Sequence, residues 1–108
     1  MIKITFYLNA DKNICGFDVL NHGETNVCAA ISVLTLNTFN SLETFVDEPI
    51  ICDYNPKGGF LSVKLPNIQN GSYNELADLL LKSLQLGVQS VNESYPHQIK
   101  IKTKYPKK

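Results

Sequence analysis

The sequence predicts an α+β fold, a two-layer sandwich in which one antiparallel or mixed sheet carries two helices on one face. Short segments alternate apolar and polar side chains with the period of a strand, and two longer segments repeat apolar residues with the period of a helix. Turn residues separate these segments, and the predicted order is ββαββαβ. Because 108 residues are the usual length of one domain, we expect a single domain over residues 1–108.

The first two strands are predicted to form a hairpin. Residues 2–9 alternate in polarity, with isoleucines, a phenylalanine and a leucine on the apolar side. Residues 14–20 alternate again, and the polar segment 10–13 between them has the composition of a turn.

A long helix is predicted from Val27 to about Phe45, because apolar side chains recur there at helical spacing over a wide stripe. Thr25 or Asn26 is the predicted N-cap, since a side-chain oxygen at that position accepts a hydrogen bond from an unpaired helical N–H group. Pro49 follows the predicted end of the helix.

Three strands are predicted in the second half of the chain, at residues 50–54, 60–65 and 98–104. The first two flank segment 55–59, which contains a proline and two glycines and therefore predicts a turn.

A second helix is predicted between these strands. Ser72 and Glu75 have the spacing of a capping box, in which each side chain bonds to the backbone of the other residue. An apolar stripe rich in leucine continues from there to about Ser94.

The composition narrows the class of protein. Ten basic and ten acidic residues give a net charge of zero, which argues against a partner that is nucleic acid, so we expect no direct nucleic-acid binding. The lysines of the last strand are interpreted as a solvated strand face. No apolar run approaches the roughly 20 residues that span a bilayer, and the first residues lack a signal-peptide pattern. We therefore expect a cytoplasmic protein without a membrane partner.

The cysteines and histidines do not predict a metal or cofactor site. There are three cysteines and two histidines, and no pair of cysteines has the close spacing of a zinc or redox motif. Cys15 and Cys52 lie mid-strand among apolar residues, where cysteine is usually a small core residue. We expect neither a metal nor a cofactor.

Cys28 differs from the other two cysteines because it lies where the first predicted helix begins. Unpaired N–H groups and the helix dipole stabilise negative charge there, which favours the nucleophilic thiolate. His22 lies six positions upstream in a polar loop and can act as the base. Backbone N–H groups of Cys28 and Ala29 are the predicted oxyanion donors, Gly23 allows close approach of a substrate, and Ser32 lies one turn further on the same helix face. A carboxylate that would orient His22 is not determined by the sequence, and Asp18 and Glu24 are both candidates.

The segment from His22 to Leu34 resembles the ribosomal-processing cysteine protease family, Prp, in its His-Gly followed by Val-Cys-Ala-Ala-Ile-Ser-Val-Leu. The order of predicted elements and the Ser94-Tyr95-Pro96 end also resemble the family. The loop between the histidine and the cysteine is shorter than in many members. Asn21 stands where the family carries glycine before its histidine, and Thr25 where it carries aspartate.

The resemblance implies a cysteine endopeptidase that removes the N-terminal extension of a large-subunit ribosomal protein, cutting after an aromatic pair. It implies that Cys28 is the nucleophile and His22 the base, with no cofactor, and that the protein is a homodimer whose substrate is a ribosomal protein precursor. The alternative is a catalytically inactive Prp-like module that binds protein on the ribosome. An RNA-contacting domain that uses the last strand is a third, less favoured interpretation, because the net charge is zero.

Overall fold

The computed structural model describes residues 1–106. Strands and helices follow one another along the chain in the order β1 (Ile2–Leu8), β2 (Ile14–Leu20), α1 (Thr25–Phe45), β3 (Ile51–Tyr54), β4 (Phe60–Lys64), α2 (Pro66–Gln69), α3 (Glu75–Ser94) and β5 (Ile99–Lys104).

The strands form one five-stranded sheet in the order β3-β4-β2-β1-β5. The pairs β1–β2, β2–β4 and β3–β4 are antiparallel, whereas β5 lies parallel to β1. The predicted α+β fold with a mixed sheet is therefore confirmed, and so is the β1–β2 hairpin. The strand order could not be read from the local alternation of side chains, because it depends on which edges pair over long range.

The core lies between one face of the sheet and the two long helices. Phe6 of β1, Phe17 of β2 and Val63 of β4 occupy one register row across the three central strands, and all three are fully buried. The buried side chains of the helices that complete this core are Val27, Ile31 and Leu42 from α1 and Ala77, Leu81, Leu84 and Val88 from α3. Burial of this apolar surface is the main term that stabilises the fold.

Both long helices begin at residues other than the predicted ones. Glu24 is the N-cap of α1, and its side chain accepts a hydrogen bond from the Asn26 N–H at 3.2 Å, so the prediction of Thr25 or Asn26 was wrong. Asn74 is the N-cap of α3 and accepts from the Ala77 N–H at 3.1 Å. The predicted capping box was also wrong, because Glu75 is the first residue of the helix rather than its third.

The short helix α2 was not predicted. Pro66 lies at its start, where a residue without an N–H group is tolerated, and only four residues follow the helical path. The side chain of Asn9, which is buried, donates to the Ile68 carbonyl at 2.8 Å. This tertiary bond ties α2 to the end of the first hairpin, and a four-residue segment has no periodicity from which it could be predicted.

The two long helices pack against each other where Gly87 of α3 faces Leu34 of α1. A Cβ atom at Gly87 would lie 3.0 Å from the Leu34 Cδ2 atom, so the glycine allows this close approach. No helix within residues 1–106 is long and apolar enough to cross a membrane.

The opposite face of the sheet carries a polar cluster in which Asp18 is the central residue. The Tyr7 hydroxyl donates to one Asp18 oxygen, and the Lys64 ammonium lies 3.4 Å from the other. The same ammonium lies 3.1 Å from the centroid of the Tyr7 ring. Burial, followed by the hydrogen bond to Asp18, raises the pKa of Tyr7 to about 12. Asp18 is thus held on the sheet face away from the helices.

Gly16 is expected to tolerate no side chain. A Cβ atom there would lie 2.5 Å from the Val63 carbonyl oxygen, which is backbone of the paired strand and cannot move aside. We expect Gly16→Ala to lower the free energy of unfolding by about 1–3 kcal/mol, measured by urea denaturation. Gly87→Ala is the matched control: its contact is the flexible end of Leu34, and alanine gains roughly 1 kcal/mol over glycine in a helix, so it should cost less. Equal losses in the two variants would contradict this account.

Candidate active site

The loop 21–24 connects β2 to α1 and carries the predicted histidine. The Asn21 N–H donates to the Gly59 carbonyl at 2.9 Å, which continues the β2–β4 pairing one residue beyond Leu20 and Phe60. Asn21 has a φ of 73°, a left-handed conformation that glycine and asparagine adopt most readily. This backbone requirement explains why asparagine can occupy position 21, where the family that the sequence resembles carries glycine.

The Cys28 sulfur lies against the backbone of Gly23. Side chains of a helix point back toward its N-terminus, so a residue in the fourth position places its sulfur beside the residues that precede the helix. The Gly23 N–H donates to Sγ at 3.0 Å, and the Gly23 carbonyl oxygen lies 3.3 Å from Sγ. The carbonyl accepts from the thiol, whereas the N–H stabilises the thiolate, so the same peptide group serves both protonation states.

The backbone N–H of Cys28 is not a free donor. It donates to the Glu24 carbonyl at 2.9 Å, because α1 begins three residues before Cys28. The expectation that this group would point at an oxyanion was therefore wrong. Ala29 is one position deeper in α1, beyond the four N–H groups that lack a helical partner, and its side chain is exposed.

The imidazole of His22 packs against the glycine pair, Gly58 and Gly59, in the turn between β3 and β4. A Cβ atom at Gly59 would lie 3.0 Å from His22 Nε2, and one at Gly58 would lie 3.3 Å from Cε1.

Neither candidate carboxylate orients the ring in this structure. Asp18 is held by Tyr7 and Lys64 on the outer sheet face, and Glu24 accepts from Asn26.

His22, Cys28 and Ser32 all line a cavity of about 510 Å³. It runs between α1 and the β3–β4 hairpin, and its volume lies within the range of about 300–1,000 Å³ that ligand pockets occupy. Its apolar side chains include Leu36 and Phe39 from α1, Tyr54 from β3, and Phe60 and Leu61 from β4. The site therefore joins a thiol and an imidazole to a space that suits large apolar groups.

Comparison with known proteins shows which family the sequence belongs to. Residues 1–100 match the sequence profile of the family described as cysteine protease Prp. The chain belongs to the cysteine protease Prp family. No curated protein matches its sequence significantly.

Solved structures share the fold, and two of them are of a Prp protease. The ribosomal processing protease Prp from S. aureus, in complex with a covalently linked product peptide, superposes with a TM-score of 0.86 at 21% identity, covering 96% of this chain and 100% of that chain. Its complex with a substrate peptide gives 0.84 at 22% identity with the same coverage. SMU.848 from Streptococcus mutans gives 0.82 at 27% identity, covering 98% of this chain and 96% of that chain.

The structure of this Prp protein also identifies site residues that the sequence did not suggest. Gly58 and Gly59 were interpreted only as turn residues, yet they contact the His22 ring. Cys52 was interpreted as a core residue, but it is half-buried and lines the cavity. The glycine pair was a detectable signal, although its contact with a histidine 36 residues away in the sequence was not. Within residues 1–106, no three His, Cys, Asp or Glu side chains converge to hold a metal ion.

The three thiols lie in different environments. Burial raises the pKa of Cys15, which is 3% exposed. Burial also raises the pKa of Cys52, and the charges of Glu43 and Asp53 add to the effect. The Cys28 sulfur instead accepts a hydrogen bond from the Gly23 N–H at the start of a helix.

We expect iodoacetamide to alkylate Cys28 faster than Cys15 or Cys52 near neutral pH, because alkylation requires the thiolate, which is disfavoured at the other two positions. Peptide mapping by mass spectrometry over a time course measures the three rates. Labelling in denaturant is the control and should bring the rates together. If Cys52 reacts as fast as Cys28 in the folded protein, the thiolate-stabilising role of Gly23 is disproved.

Proposed function

We propose that this chain is an endopeptidase in which Cys28 is the nucleophile and His22 the base, with residues 1–108 forming one catalytic domain. The observation that carries the proposal is the contact between the Gly23 N–H and Cys28 Sγ, at 3.0 Å, in the cavity that His22 also lines. A cysteine sulfur that accepts a backbone hydrogen bond, in an apolar cavity that an imidazole also lines, is suited to acyl transfer.

In the proposed reaction His22 removes the thiol proton, and Cys28 Sγ attacks the scissile carbonyl carbon. A C–S bond forms, and the carbonyl electron pair moves onto oxygen. His22 then gives the proton to the amide nitrogen, the C–N bond breaks, and the amine leaves. Water attacks the thioester, with His22 accepting its proton, and releases the carboxylate product and the free thiol.

The Gly23 N–H donates to Sγ before the attack. It is proposed to pass from the sulfur to the neighbouring oxyanion once the C–S bond has formed. Ala29 was predicted as an oxyanion donor together with Cys28. Because Ala29 lies inside α1, its N–H group is proposed not to contact the oxyanion directly. Ser32, in the cavity wall, is proposed to contact the substrate rather than the reacting atoms.

The proposed substrate is the precursor of a large-subunit ribosomal protein, cut in its N-terminal extension after an aromatic pair. The S. aureus structures are of a ribosomal processing protease with a bound peptide, and we propose the same activity for this chain because it belongs to the same family. The cavity supports it because its wall includes the aromatic and aliphatic side chains of Leu36, Phe39 and Phe60. We further propose that the enzyme is cytoplasmic, where its three free thiols would remain reduced, and that it binds no nucleic acid directly.

Cleavage of a peptide that contains the aromatic-pair site tests the proposal. The wild-type protein should cut it, whereas Cys28→Ala and Cys28→Ser should lose cleavage by about 1,000-fold or more while retaining the fold. Cys15→Ala is the control for removal of a thiol outside the cavity and should still cut. Cleavage by Cys28→Ala would rule out Cys28 as nucleophile, and a folded wild-type protein that never cuts would favour the inactive binding module.

We also propose that the protein is a homodimer. Leu76, Leu79 and Leu86 recur along one side of α3 and are 55%, 64% and 67% exposed in the isolated chain, which makes them candidates for the subunit contact. Sedimentation velocity should give twice the 12.1 kDa mass of one chain. Leu79→Lys should shift the equilibrium toward the monomer, and a monomeric wild type at all concentrations would contradict the proposal.

A further inference from the structure

The proposed mechanism requires the His22 ring to be held in a defined orientation. A catalytic imidazole usually needs a partner that holds its ring, and in many enzymes that partner is a carboxylate. In the part of the chain that the structure describes, no side chain or backbone group forms a hydrogen bond with the His22 ring. The two nearby carboxylates are occupied elsewhere, as described above.

Packing against the glycine pair takes the place of that hydrogen bond. The ring edge that carries Nε2 and Cε1 faces Gly58 and Gly59, and the distances to the Cβ atoms they lack are 3.3 and 3.0 Å. At 3.0 Å from Nε2, a Cβ atom at position 59 would be closer than nine in ten real Cβ contacts, so the ring would have to shift by a few tenths of an ångström. The absence of a side chain at position 59 therefore allows the imidazole to lie this close to the turn.

The backbone around the glycine pair is itself held in place. The Asn21 N–H donates to the Gly59 carbonyl at 2.9 Å, so the residue next to His22 is bonded to the residue that the His22 ring contacts. Within the turn, the Gly58 N–H donates to the Asn55 carbonyl at 2.8 Å, and the Lys57 N–H donates to the Asn55 side chain at 3.0 Å. These bonds fix the turn relative to the loop that carries the histidine.

We propose that Gly59 is a positioning residue for His22, and that the turn between β3 and β4 orients the imidazole through backbone contact where other cysteine enzymes use a polar partner. This inference rests on the proposed role of His22 as the base. A side chain at position 59 would shift the ring by a few tenths of an ångström. Because a misplacement of about 1 Å in a catalytic group can lower activity about 100-fold, we expect this smaller shift to lower activity by roughly 3- to 10-fold.

The experiment compares substitutions at Gly59 with the same substitutions at Gly71. Both glycines have positive φ, 85° and 110°, so alanine strains the backbone at either position, but nothing lies within 4 Å of the Cβ position at Gly71. Asparagine tolerates this conformation better than alanine, so Gly59→Asn keeps the steric contact and reduces the strain. Circular dichroism and urea denaturation establish that each variant is folded.

Two measurements separate positioning from general damage. The first is kcat/KM for the aromatic-pair peptide across pH, where Gly59→Ala and Gly59→Asn should lose roughly 3- to 10-fold, and Gly71→Ala and Gly71→Asn should match wild type. The second is the rate of Cys28 alkylation by iodoacetamide across pH, which needs no substrate. In the Gly59 variants its pH profile should move toward that of His22→Ala, whereas the Gly71 variants should keep the wild-type profile.

The outcomes distinguish this inference from the proposed function. If the folded Gly59 variants retain wild-type activity and a wild-type alkylation profile, the positioning role is overturned. If His22→Ala itself retains full kcat/KM, the proposed base is wrong, whatever the Gly59 variants show. If Gly59→Ala fails to fold, Gly59→Asn decides the question, and Gly58→Ala should give a smaller change in the same direction because its contact is 3.3 Å.

Discussion

The short connection between β2 and α1 is the constraint on which the site depends. Only residues 21–24 join the last residue of the strand to the first residue of the helix, so the start of α1 must lie close to the end of the sheet. Within that length the backbone pairs with Gly59, presents His22 to the neighbouring turn, and places Gly23 against the Cys28 sulfur. A longer loop would have to order itself to make the same contacts, at a cost in conformational entropy.

Much of the fold could be predicted from the sequence because it depends on local periodicity. The alternation in residues 2–8 and the helical stripe of α1 are direct consequences of which side chains face the core. The N-cap residues were harder to predict. Glu24 is not a preferred N-cap residue, and both Asn74 and the nearby Ser72 are of types that commonly cap a helix.

The candidate site, too, could be predicted from the sequence only in part. His22 and Cys28 were identifiable from their types and spacing, and both line the cavity. The opposite wall comes from a hairpin more than 20 residues further along the chain, and its position follows from the pairing of β2 with β4. Asp18 shows the limit of sequence proximity: it lies four residues from His22, yet strand alternation directs it to the other face of the sheet, where Tyr7 and Lys64 hold it.

The edge position of β3 has a consequence for the working stability of the enzyme. β3 has four residues, pairs with β4 alone, and exposes most of its length, so it has fewer contacts to lose than the central strands. Proteins open locally at such elements with free energies well below that of global unfolding. Fraying of this hairpin would remove one wall of the substrate cavity and the support of the imidazole in a single event, while the aromatic core around Phe6 and Phe17 stayed intact. The highest temperature at which the protease works would then be set by the β3–β4 hairpin at the edge of the sheet. A melting temperature that reports unfolding of the core would be higher than that limit.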